Sequence, residues 1–170
     1  NQRIDFNMKR FTFLFVFMMA WVLEVNGQTA TTAKLQETLE DLVSLDRLVR
    51  QVHWNARGTA AYSLHELTGE FHAELDSQQD IFAEQLSILG VDPVVSFEKL
   101  TQNVHAVPNA NQKHMRKAGI DLLIKHYQQM INQVKERMKG IDDLVVEDHF
   151  IGLRAMLELQ QWKLKLEQEI

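Results

Sequence analysis

The sequence predicts an all-α protein: a bundle of four long helices, with one long crossover between the second and third that carries a short helix. Three observations lead there. Apolar residues recur at three- and four-residue steps through four long stretches, the spacing that keeps one face of a helix apolar. Glycines stand where three of those stretches stop, and both prolines, Pro93 and Pro108, fall between the second and third. No strand-like alternation, internal repeat or low-complexity segment interrupts the pattern.

Residues 1–27 differ from the rest. Met8-Lys9-Arg10 precedes an apolar run from Phe11 to Leu23, broken only by Thr12, and Val25-Asn26-Gly27 supplies short residues at a cleavage position. A basic start, a short apolar stretch and a small-residue exit read as a secretory leader. The run is too short for a comfortable membrane span, so no stable span is expected in the mature chain. Asn1–Asn7 then precede the start methionine as upstream read-through. The division expected is a leader over 1–27 and one domain over 28–170, with export to the periplasm or beyond. A cytoplasmic protein with an N-terminal arm is the alternative.

The first helix is expected over 31–57, where Leu35, Leu39, Leu42, Val49, Val52 and Ala56 form one stripe and Gly58 follows the end. The second runs over 62–89, with Ser63 and Glu66 spaced as a capping box and Gly90 closing it. The third covers 110–139, on Ile120, Leu123, Ile124, Tyr127, Ile131, Val134 and Met138, ending at Gly140. The fourth covers 143–168, on Val146, Phe150, Leu153, Leu157 and Leu164. Short links make consecutive helices antiparallel neighbours. The exception is the crossover with the prolines, where Ser96 suits the start of a short helix.

At 170 residues and 45% hydrophobic, the chain can bury one sizeable core. It has no cysteine, which excludes disulfides, thiolate metal sites and cysteine nucleophiles. Removing 1–27 takes away three bases (Arg3, Lys9, Arg10) and two acids (Asp5, Glu24), so the net charge moves from −5 to −6. No Lys/Arg-rich tail remains, and direct DNA binding is not expected. Catalytic-triad, phosphate-loop and zinc-finger patterns are absent.

Chemistry concentrates in His53, His65, Asp80 and Glu84, all of them residue types that bind first-row metals. On the second helix, with His65 at zero and about 100° per residue, Gly69 falls near 40°, His72 near −20°, Asp76 near 20°, Asp80 near 60° and Glu84 near 100°. Asp80 and Glu84 are one turn apart and can close on one cation. A short loop lets His53 and His65 face each other. His65 and Asp80, however, are 15 residues apart, about 22 Å along a helix and too far for one ion. If two chains pack antiparallel about a two-fold axis, the histidines of one meet the carboxylates of the other, and the axis makes two equivalent sites. A polar stripe is more often simply a solvated face. His105, His114 and His126 read as surface histidines.

The stretch Val52–Gly90 resembles the Dps family, the ferritin-like mini-ferritins. The residues that carry this are His53-Trp54-Asn55-Ala56-Arg57-Gly58, His65 twelve positions after His53, Asp80-Ile81-Phe82-Ala83-Glu84, and Gln85-Leu86 with Leu89-Gly90. A weaker likeness extends over residues 35–168 and includes Trp162. The resemblance implies a dodecameric hollow shell of four-helix subunits with ferroxidase sites at two-fold interfaces. It implies iron as the metal, Fe(II) oxidised by hydrogen peroxide or dioxygen, and ferric mineral stored inside. His53 and His65 then bind metal from one subunit, and Asp80 and Glu84 complete the site from its neighbour. Trp54 lies beside the site, as an electron donor or as interface packing.

One position departs from the pattern. The family usually has an aspartate four residues after the second histidine, and here that residue is Gly69. Glu70 points about 100° away from it. His72, Asp76 and His149 are the candidates to compensate. If none does, the expectation is a cage-forming structural or binding protein with weakened ferroxidase activity.

Overall fold

Among the described residues there are four long helices: α1 (Gln2–Asn55), α2 (Ala61–Ile88), α3 (Arg116–Arg137) and α4 (Leu144–Gln168). The structure is a computed structural model that describes residues 2–96, 98 and 114–169, with side chains for 29–96, 98 and 116–169. The chain divides into two compact units, Asn1–Lys34 and Leu35–Ile170. In the first the backbone is already helical from Gln2, upstream of the expected start at 31. No helix among the described residues is long and apolar enough to cross a membrane.

The second unit holds the core, and the expected stripes line it. Leu35, Leu39, Leu42, Val49 and Val52 of α1 are buried, as are Leu64, Phe71, Leu75, Phe82 and Leu86 of α2. Ile120, Leu123, Tyr127, Ile131 and Val134 come from α3, and Val146, Phe150, Leu153, Leu157 and Leu164 from α4. Phe82 meets Phe150 edge-on, with centroids 5.1 Å apart and planes at 90°. Such pairs add about 0.5–1.5 kcal/mol to the burial itself. Tyr127 is fully buried and donates its hydroxyl to Gln160 Oε1 at 2.6 Å. Gln160 in turn donates to Glu74, so the one phenol in the core is satisfied.

Helix ends follow the local chemistry. Gly90 adopts φ 77° beyond the end of α2. There Val91 N donates to Leu86 O and Gly90 N to Ser87 O, both at 3.0 Å. This Schellman geometry needs the left-handed residue that glycine supplies without strain. Asp143 caps α4, its carboxylate accepting from Val145 N at 2.9 Å and Val146 N at 3.2 Å.

Two expectations are corrected. Ser63 does not cap α2: the helix starts earlier, behind the left-handed Ala60 (φ 55°), with no side-chain cap. Ser63 Oγ donates instead to Ala60 O at 2.8 Å and pairs with Glu167. The third helix begins at Arg116 rather than 110. Just before it, strand β2 (His114–Met115) pairs in parallel with β1 (Ala56–Arg57), in the register Ala56 to His114 and Arg57 to Met115. Two residues are too few to show alternation in a sequence.

The crossover leaves α2 under control of α1. The Gln36 side-chain amide accepts from Val94 N at 3.2 Å and donates to Val94 O. The short helix expected further along falls, apart from helical Glu98, outside the described residues, as do His105 and Pro108.

Candidate metal centre

The end of α1 and the start of α2 are joined by five residues, two of them left-handed: Gly58 (φ 101°) and Ala60 (φ 55°). This turn brings His53 and His65 face to face. Their rings stack with centroids 3.8 Å apart and planes 19° from parallel. His53 Nδ1 lies 2.8 Å from His65 O, and His65 Nδ1 lies 3.1 Å from His53 O. A carbonyl oxygen only accepts, so each Nδ1 carries the proton and donates. The lone pair of each ring is thereby left on Nε2. A ligating histidine is held in this way, with one ring nitrogen bonded to an oxygen acceptor and the other presented to the ion. Thr68 supports the pair. Its hydroxyl donates to Leu64 O at 2.6 Å and sits 3.2 Å from His53 Nδ1.

The core residues of α2 and its polar residues occupy different sides. Taking His65 as zero, Leu64, Phe71, Leu75, Phe82, Gln85 and Leu86 fall between about 200° and 300°. With Thr68, also near 300°, these are the buried ones. His65, Asp76, Asp80 and Glu84 are exposed on the other side. Among the described residues, Asp76, Asp80 and Glu84 have no hydrogen-bond or ion-pair partner, and no three His, Asp or Glu residues gather at one point. The structure therefore brings His53 and His65 together and leaves Asp80 and Glu84 well away on the same helix. Trp54, next to His53, is 64% exposed. An indole so placed has most of its apolar surface uncovered within one chain.

Gly69 lies against the histidine pair. A Cβ built there meets His53 Cε1 at 3.5 Å and Nδ1 at 3.8 Å, ordinary contact distances. A Cβ at 69 is thus accommodated beside the pair without a clash. Of the three candidates to compensate, His149 faces elsewhere. Its Nε2 sits 3.3 Å from Oε1 of buried Gln85, on the core side of α2. His72 is on the right side, and its Nδ1 is 2.7 Å from Asp46 Oδ1. Asp46 also accepts from Arg50 Nε at 2.9 Å.

Sequence reasoning missed Thr68 and Asp46, the groups that orient the rings. Asp46 leaves a trace: an acid set into the apolar stripe of α1, between Leu42 and Val49. The backbone carbonyls that orient His53 and His65 leave none.

The chain belongs to the ferritin-like domain family, whose model matches residues 32–168. It is similar to the DNA protection during starvation protein of Agrobacterium fabrum, 24% identical over 146 residues that cover 84% of this chain and 90% of that one. The protein of the same name from Listeria monocytogenes is 27% identical over 125 residues, 69% of this chain and 78% of its own. In structure it resembles an N-terminal deletion mutant of Mycobacterium smegmatis Dps, with TM-score 0.78, 21% identity and coverage of 85% and 97%. Dps from Microbacterium arborescens in its high iron form matches with TM-score 0.78 at 18% identity, covering 85% and 95%. Within the ferritin-like family, the Dps group is where the chain falls.

Proposed function

We infer that the chain is an iron-storing mini-ferritin that oxidises Fe(II) at centres shared between two copies. The observation that carries this is the reciprocal lock of His53 and His65, which leaves the Nε2 lone pair of each stacked ring uncommitted at the end of the α1–α2 hairpin. Two imidazoles alone under-fill a first-row cation, and carboxylates complete such sets for iron. Asp80 and Glu84 are exposed and, among the described residues, without a partner; they stand one turn apart, about 22 and 28 Å from His65 along α2. An antiparallel partner brings its own copies of them to the pair, and a closed shell of such pairs (a dodecamer, by family resemblance) encloses a storage volume.

Iron is the substrate. Two Fe(II) ions give up one electron each to one hydrogen peroxide, which takes two protons and leaves as two waters. Dioxygen is the alternative oxidant. Trp54, exposed beside His53, is placed to be covered by the partner and to pass an electron.

A second reading keeps the shell and loses efficient oxidation. Gly69 favours it, because it leaves the position beside His53 without the carboxylate that the family pattern has there. One experiment bears on both: the purified protein is given Fe(II) and peroxide, and iron is followed in size-exclusion fractions. Iron retained in a large assembly is expected. A large assembly that oxidises no iron faster than buffer selects the second reading, and a monomer that holds none overturns both.

A further inference from the structure

The outward face of α2 carries two more donors between the positions assigned above. His72 falls near −20° and Asp76 near 20°, between His65 and Asp80 in sequence and on the same side. His72 is not a free surface imidazole. Its Nδ1 is 2.7 Å from Asp46 Oδ1, and that carboxylate is only 9% exposed and is gripped by Arg50 at 2.9 Å. The carboxylate accepts, so Nδ1 donates and the lone pair is left on Nε2, in a side chain that is 30% exposed. A buried carboxylate behind a histidine is the arrangement that raises the donor strength of the opposite nitrogen and fixes the ring for a metal. Asp76 is exposed, and no described residue pairs with it.

The register decides what these donors meet. A two-fold that sets His65 against the partner's Asp80 and Glu84 crosses α2 midway between them, near residues 72–75. Positions equally far on either side of that midpoint face each other. His72 and Asp76 straddle it, so His72 lies opposite the partner's Asp76. Gly69 and Ala73 flank the meeting point and add no bulk.

We propose that His72 and the partner's Asp76 bind a divalent first-row cation, with water completing its shell. Resting on the two-fold reading above, this gives each pair of chains four metal positions instead of two. The added ones lie about 10 Å inboard of the His53–His65 positions along the helix. There they offer an ion a resting place beside the oxidation centre, with a carboxylate about one turn along from the gap left by Gly69.

Zinc is the probe, since it takes imidazole and carboxylate ligands and undergoes no redox change. Equilibrium dialysis of the assembled protein is expected to give four tightly held zinc ions per pair of chains. Asp76→Asn is expected to give two with the assembly intact, because Asp76 is exposed and no described residue pairs with it. His72→Asn should match it, and His53→Asn with His65→Asn should remove the other two. Anomalous scattering at the zinc edge should place the added ion between His72 and the partner's Asp76. An assembled wild type that holds only two ions, or an Asp76→Asn protein that still holds four, overturns this inference alone. A chain that stays monomeric overturns the shared-centre function, and this inference with it.

Discussion

His53 and His65 each donate an Nδ1–H to the other's backbone carbonyl, at 2.8 and 3.1 Å, across rings stacked 3.8 Å apart. Each histidine thus fixes the tautomer of its neighbour. The pair is pre-organised before any ion arrives, so binding does not have to immobilise the rings.

Loss of either ring should therefore damage the centre twice, by removing a ligand and by releasing the orientation of the other. Removing only an orienting group around a metal-bound histidine typically weakens affinity about 10–100-fold. His65→Ala is expected to exceed that in Fe(II) affinity, measured anaerobically by calorimetry, with the bundle still helical by circular dichroism. An affinity within tenfold of wild type would remove the pair from the centre.

Gly69 offers the reverse experiment. The built Cβ clears His53 by 3.5 Å, so Gly69→Asp should fold without displacing the ring. The new carboxylate should tighten metal binding by about tenfold, or roughly 1.4 kcal/mol, and raise the rate of iron oxidation. Gly69→Ala is the control, since it gains about 1 kcal/mol of helix stability without adding a ligand. If Asp and Ala give equal affinity and rate, the absent carboxylate was not limiting.

Tyr127 gives the core an alkaline weak point. Burial first, then the negative charges of Glu74 and Asp46, push its ionisation well above the ordinary tyrosine range. The folded state then keeps the proton at pH values where the unfolded chain has lost it. Its contribution is fully present below about pH 10 and falls above that, by up to about 1.4 kcal/mol per pH unit. Chemical denaturation between pH 9 and 11 should show this slope, and Tyr127→Phe should flatten it. The substitution should also cost about 1–3 kcal/mol at neutral pH, because Gln160 Oε1 loses its donor. An identical slope in both proteins would assign the alkaline loss to other groups.

Residues 8–27 are proposed as a cleaved leader. Expression with an export pathway should yield a mature chain that begins near Gln28, read by N-terminal sequencing or intact mass. A mature protein that retains Met8 would overturn the leader.

Much of this fold is legible in the sequence because its core repeats a single rule. Leu35, Leu39 and Leu42, or Leu153, Leu157 and Leu164, recur on a helical period, and all are buried where that period puts them. Gly90 and Asp143 mark helix ends through side-chain chemistry that the sequence displays. The start of α2 was not legible in this way: Ser63 and Glu66 have capping-box spacing, yet Ala60 at φ 55° begins the helix because the tight hairpin demands it. The pairing of Ala56–Arg57 with His114–Met115 joins residues far apart in the chain through backbone alone. At the site, residue types and spacing are visible, whereas the acceptors behind them are backbone carbonyls and an acid on another helix.

The separation of core and polar sides on α2 makes that helix a ruler. In the proposed pair, the count of residues from His65 to Asp80 sets how far apart the two symmetry-related centres stand. One residue inserted between them would lengthen the interval by only about 1.5 Å but turn everything beyond it by about 100°, away from both core and partner. Length variation among relatives should therefore collect in the crossover after Gly90 and be barred from this interval.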